Sequence, residues 1–136
     1  MSKVAIIYFS GTGNTEIMAN NVCLGAKSVG SEVEVFKSCD FDCSTISNYD
    51  AFAFGCPSMG AEQLEDGEFE PMWLAVKDAV AGKNVVLFGS YGWGSGEWMD
   101  TWAQEANVSI DNTFICEGAP DSDGEQKCFE LGAKLV

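Results

Sequence analysis

Three hydroxyl residues, Ser10, Thr12 and Thr15, alternate with Gly11, Gly13 and Asn14 in the run SGTGNT at residues 10–15. Hydroxyls and the backbone N–H groups of a tight, glycine-permitted turn are donors. At the start of a helix they hold an anion with help from the helix dipole. The run carries no cation. A nucleotide P-loop requires G-x-x-x-x-G-K-[ST], and there is no lysine here; the dinucleotide pattern G-x-G-x-x-G requires glycine at position 16, which is Glu16. An arginine-dependent phosphatase site is excluded because the chain has no arginine. Neutral donors fit a phosphate monoester that is held and does not react, since nothing present stabilises charge developing in phosphoryl transfer. The phosphate is a handle, and the reactive part of the ligand lies elsewhere.

Two further stretches offer surfaces for a flat ring. Ser90-Tyr91-Gly92-Trp93-Gly94-Ser95-Gly96 brackets a tryptophan with glycines, outside any helix or strand period, so its face is available for stacking. The alternative is a Trp93 that only closes over the core. The stretch from Gly55 to Asp66 (GCPSMGAEQLED) places a Met-Gly step opposite, where Met59 covers a second ring face with a polarizable side chain. Taken alone, that methionine is a packing residue. Trp73, Trp98 and Trp102 fall on predicted helices and are expected to pack.

The elements that position these stretches alternate in type. An apolar run at 3–9 predicts a strand covered on both faces. Met18, Val22, Gly25, Ala26 and Val29 predict a helix over 15–29, stopped by Gly30. Strict alternation at 32–36 predicts an edge strand. A helical turn near 44–48, a buried strand at 51–54, a long loop at 56–70 and a helix at 71–81 follow, with Pro71 in its first turn. A strand at 84–89, a glycine-rich loop, a helix at 96–107 and a strand at 109–116 come next. A closing helix carries Cys128, Leu131 and Leu135. The fold class is therefore α/β: one three-layer, doubly wound domain over 1–136 with a five-stranded parallel sheet in order 2-1-3-4-5. The unusual loops leave the carboxyl ends of strands 1, 3 and 4, where ligands of such sheets bind.

Composition bounds the rest. With 136 residues and 46% hydrophobic content, the chain is long and apolar enough for a core, and no apolar run approaches a membrane span. The first strand begins by residue 3, leaving no room for a signal peptide, so a cytoplasmic location is expected. Acidic residues number 21 against 7 lysines, with no histidine, for a net charge of −14. Such a surface repels nucleic acid and anionic lipid and favours basic partners, and the chain lacks an imidazole for proton transfer or metal binding. The six cysteines include no C-x-x-C pair. Cys23, Cys116 and Cys128 read as small core residues, while Cys39 with Cys43 is weighed as a metal or redox pair.

Together, SGTGNT, GCPSMGAEQLED and LFGSYGWGSGEWMDTW make the sequence resemble the flavodoxins, specifically the short-chain clostridial type, nearly end to end. The chain is too short for the strand-5 insertion of long-chain flavodoxins. Order 2-1-3-4-5 is itself the known flavodoxin-like arrangement, so order and resemblance form one expectation. The resemblance implies non-covalent FMN and no metal. It implies a cofactor-binding set of Ser10, Gly11, Thr12, Gly13, Asn14 and Thr15 around the phosphate, helped by Ser90. Pro57, Ser58, Met59, Gly60, Ala61 and Glu62 stand on one side of the ring, and Tyr91, Gly92, Trp93 and Gly94 on the other. Met59 and Trp93 sandwich the isoalloxazine, the Gly60 carbonyl meets N5–H after reduction, Glu62 meets N3–H, and Gly92 with Trp93 approaches the N1/O2 edge. The last loop, Glu117-Gly118-Ala119-Pro120, departs from the Asn-Glu-Pro common in relatives.

The function implied is a low-potential one-electron carrier using the semiquinone/hydroquinone couple of FMN, a monomer with no catalytic residue of its own. Its partners are redox enzymes with basic docking surfaces, such as ferredoxin-type oxidoreductases and reductases. An acidic surround makes negative charge on reduced flavin costly, which lowers that potential. Two other classes stay open on residues alone: an FMN-dependent quinone or nitro-compound reductase using nicotinamide, and a regulatory FMN-binding module. The absence of histidine and arginine counts against the first.

Overall fold

The computed structural model describes residues 3–9, 11, 13–58, 64–65, 67–92 and 96–135. Five strands, β1 (Lys3–Tyr8), β2 (Glu32–Lys37), β3 (Ala51–Gly55), β4 (Asn84–Tyr91) and β5 (Thr113–Glu117), form one parallel sheet in the order β2-β1-β3-β4-β5. Among the described residues, helices α1 (Asn14–Ser28), α2 (Phe69–Val80) and α3 (Glu97–Ala106) link β1 to β2, β3 to β4 and β4 to β5, a 3₁₀ segment at Cys43–Asn48 lies between β2 and β3, and α4 (Ser122–Ala133) follows β5. This is the expected three-layer arrangement.

Side-chain alternation along the strands divides the core. Val4, Ile6, Ala51, Ala53 and Val86 face α1 and α4, whose Met18, Val22, Cys128 and Leu131 cover them. Ala5, Ile7, Phe52, Phe54 and Leu87 face α2 and α3. That second layer is aromatic: Trp73 meets Phe54 and Trp102 at ring-centroid separations of 5.2 and 5.9 Å, edge to face. All three helical tryptophans are buried, as expected. On the opposite face small residues are needed. A Cβ at Gly25 would run into the Phe129 carbonyl and one at Gly132 into the Val22 carbonyl, so α1 and α4 approach backbone to backbone.

β2 lies at the edge, but its burial does not follow the strict alternation of its sequence: Val33 packs against one core layer and Phe36 against the other, while Val35 is exposed. Three boundaries differ from the sequence reading by two residues or more. β5 starts at Thr113 because Ile110–Asn112 turn instead as a 3₁₀ segment, with Ser109 Oγ accepting the Asp111 N–H at 3.3 Å and Thr113 Oγ donating to the Ile110 carbonyl at 2.8 Å. β4 runs on to Tyr91 because β5 pairs with it through Tyr91↔Glu117. α2 begins at Phe69, two residues ahead of Pro71, which still occupies the first turn where its missing N–H costs nothing. Val29, placed on the α1 stripe by its spacing, is 46% exposed beyond the helix end.

Candidate functional site

The chain of β1 passes from Tyr8 to Phe9, whose N–H is held by the Gly55 carbonyl at 2.9 Å, and α1 opens at Asn14. Gly13 sits immediately before the helix at φ +95°, a left-handed conformation that requires glycine although nothing crowds its missing Cβ. Its carbonyl accepts the Ile17 N–H at 3.1 Å, but having no side chain it offers no side-chain cap to the first turn, as at helix starts that accept anions. In that turn the Thr15 hydroxyl, 1% exposed, lies 3.4 Å from the Ser90 hydroxyl, 4% exposed, across 75 residues of sequence. Register explains the meeting, because Ser90 is the penultimate residue of β4.

The one acid in this turn is turned elsewhere: Glu16 Oε2 accepts the Tyr8 hydroxyl at 3.2 Å. Burial first, then the Glu16 charge and this bond, push the Tyr8 phenol above its ordinary value.

Beside the hydroxyl pair is a cavity of about 230 Å³ lined by Gly11, Asn14, Pro57, Ser58, Ser90, Tyr91, Gly92 and Gly118. It gathers the carboxyl ends of β1, β3 and β4, as the sequence reading requires, and adds the loop after β5. Gly118, at φ +69°, joins through its N–H to the Tyr91 carbonyl at 2.9 Å. The binding set expected from the sequence leaves out Gly118, whose loop is named there only as a departure from relatives; a glycine directly after the last strand, as after the fourth, was the available signal. A larger hollow of about 390 Å³ around Phe114, Lys127 and Lys134 lies at the start of β5, remote from these loops.

The described residues thus bring together Gly11, Asn14, Pro57, Ser58, Ser90, Tyr91 and Gly92, with Gly13 and Thr15 adjoining. Ser10, Thr12, Met59, Gly60, Ala61, Glu62, Trp93 and Gly94 lie outside the described residues.

The ends of the third-strand loop are well held. Cys56 N–H donates to the Phe88 carbonyl at 3.1 Å and Ser58 N–H to the Ser90 carbonyl at 3.0 Å. At the return, the Glu65 carboxylate accepts three backbone N–H groups: Gly67 at 2.8 Å, Glu68 at 2.7 Å and Phe69 at 2.9 Å. Burial pushes this carboxyl up, but the three donors outweigh that and hold it below its ordinary value. Glu65, expected as one charge among many on an acidic loop, is the cap that starts α2 early.

The cysteines join no metal-ligand cluster among the described residues. All six are free thiols, Cys39 is exposed with its Sγ donating to Asp40 at 3.7 Å, and among the described residues no group of three or more ligating side chains converges. Cys128 is fully buried, while Cys23 and Cys116 pack partly buried against the α1–α4 core, close to the expected roles. Among the described residues, no helix is long and apolar enough to cross a membrane.

A buried hydroxyl pair at a glycine-led helix start, beside an open slot at the carboxyl edge of a doubly wound sheet, stands where proteins of the order 2-1-3-4-5 class bind mononucleotides. The family model described as Flavodoxin matches residues 6–132, and the chain belongs to the flavodoxin family. It is 44% identical over 132 residues to the flavodoxin of Megasphaera elsdenii, covering 95% of each chain. To the flavodoxin of Clostridium beijerinckii it is 40% identical over 135 residues, covering 96% of this chain and 97% of the other. The solution structure of two-electron reduced Megasphaera elsdenii flavodoxin superposes with a TM-score of 0.86 at 41% identity, covering 96% of this chain and 98% of that one. The chain is thus a short-chain, clostridial-type flavodoxin. It is a low-potential electron-transfer protein that works through bound FMN, and not an enzyme.

Proposed function

We propose that this chain holds FMN by its phosphate at residues 10–15 with Ser90, and by its ring between the loops after β3 and β4. The observation that carries the reading is the buried, uncharged hydroxyl pair of Thr15 and Ser90 at the glycine-led start of α1. Neutral donors suit the group: a phosphate dianion accepts from hydroxyls and backbone N–H groups, and Glu16 is drawn off by Tyr8. Beside them, Pro57, Tyr91, Gly92 and Gly118 leave a slot whose walls are backbone, ring and proline, which fits a flat heterocycle. Bound FMN supplies the one-electron chemistry; the protein binds it, orients it and sets the charge around it.

Asn14, Gly11 and Gly13 shape the phosphate turn. Met59 and Trp93 cover the two ring faces, Gly60, Ala61 and Glu62 meet the ring's polar edge, and Gly94 lets the fourth-strand loop close. The partners are redox enzymes with basic docking surfaces, of the ferredoxin-type oxidoreductase and reductase kinds, met by a monomer in the cytoplasm. An excess of 14 negative charges supports that preference.

Paired titrations with FMN and riboflavin test the phosphate assignment. Thr12→Ala combined with Thr15→Ala removes two donors and is expected to weaken FMN tenfold to a hundredfold, about 1–3 kcal/mol, with little effect on riboflavin. Equal losses for the two flavins would place the phosphate elsewhere.

A further inference from the structure

Cys56, the first residue after β3, is fully buried. Its sulfur accepts the backbone N–H of Glu65 at 3.4 Å, and its S–H donates to the Pro57 carbonyl at 3.5 Å. One side chain thereby touches both ends of the loop that leaves β3 and returns to α2. Ser58 fastens the outgoing end to β4, and the Glu65 carboxylate fastens the returning end to the first turn of α2.

We propose that Cys56 is a positioning residue, whose sulfur clamps the base of the 57–64 loop through the Glu65 N–H and so sets that loop's contact with the FMN ring. The inference rests on the reading that this loop covers the ring. A loop with fixed ends gives up less conformational freedom when it makes a contact, so a clamped loop holds the ring more tightly. The contact expected from Gly60 after reduction gains most, because the loop must then hold one defined geometry. Sulfur suits the task by size, since an oxygen acceptor works best at about 2.9–3.0 Å from a backbone nitrogen. Burial drives the Cys56 thiol well above its ordinary value, so it stays uncharged. Any change in potential on its substitution therefore reports loop geometry and not a lost charge.

The experiment is a substitution series on the FMN-loaded protein, reading both one-electron potentials and the dissociation constants of FMN and riboflavin. Cys56→Ala removes acceptor and volume, Cys56→Val removes the acceptor and keeps the volume, and Cys56→Ser keeps a shorter acceptor. Cys56→Ala and Cys56→Val are expected to weaken FMN and riboflavin by the same factor, up to roughly tenfold. Their first one-electron potential should fall, by about 59 mV for each tenfold change in that equilibrium. Cys56→Ser should lie between them and the parent. The FMN-to-riboflavin affinity ratio should stay constant throughout, since the phosphate turn is untouched. A Cys56→Val protein with parental potentials and affinities would overturn the clamp, and should Cys56→Ala fail to fold, that comparison still decides. Met59→Ala separates the two ideas. If it moves the first potential while Cys56→Val does not, only the clamp fails. If neither moves it, the loop does not cover the ring.

Discussion

Tyr8 shows how a single hydroxyl keeps an acid out of an anion site. Glu16 stands in the first turn of α1, where helix geometry favours a carboxylate and where the phosphate is to sit. The bond from Tyr8 draws that carboxylate toward the β1–β2 side. Tyr8→Phe removes that bond, and the Glu16 charge then lies less firmly held beside the donors proposed for the phosphate. FMN affinity should fall roughly three- to tenfold at low salt, the scale of one ordinary net hydrogen bond, and recover partly as salt screens the repulsion. Riboflavin affinity should not change, and titrating both flavins with the variant checks it. At this scale Gly11, Gly13, Asn14 and Thr15 stand together at the start of α1 as their spacing suggests, because residues so close in sequence act within one turn. The Tyr8–Glu16 and Cys56–Glu65 contacts were not legible in the sequence, since each depends on where a neighbouring strand or loop brings its partner.

Element boundaries follow the same division between local and distant causes. The apolar strands and the helical stripes were readable because burial on two faces or one leaves a period in the residues themselves. The start of α2 was not readable, because its cap, Glu65, precedes the helix by several residues and looks like one more acid in an acidic run. The end of β4 was hidden for a similar reason: Ser90 and Tyr91 are strand only because β5 pairs with them. Glu65 yields a prediction at this scale. Glu65→Gln keeps an oxygen acceptor and loses the charge at the α2 N-terminus, which should lower stability by about 1 kcal/mol at neutral pH. The native carboxyl is held below its ordinary value of 4.5, so the folded state favours the ionised form. That contribution is complete above the unfolded value and disappears as pH falls through the lower folded one. Urea denaturation at pH 7 should separate the two proteins, and the gap should narrow as pH is lowered below 4.5.

For the whole molecule, 21 acids against 7 lysines create a field that acts on both the flavin and its partners. Among the described residues only two salt bridges, Lys3–Glu34 and Lys77–Glu105, offset it, and both sit away from the site. Electron transfer to a cationic acceptor should therefore be fast at low salt and slow steeply as ionic strength rises, because attraction between exposed charges is screened over about 8 Å at physiological salt. Stopped-flow rates measured from low to high salt test this, and a flat profile would show that the acidic surface does not steer docking. The same field makes the second electron harder to add than the first, which separates a carrier from a reductase that takes two electrons from nicotinamide. Anaerobic reductive titration of the FMN-loaded protein, followed by visible absorbance and by mixing with NADH, addresses that distinction most directly. An electron carrier should show two resolved one-electron steps, the second at low potential, and no rapid reduction by NADH. A single two-electron step together with fast NADH oxidation would contradict that role.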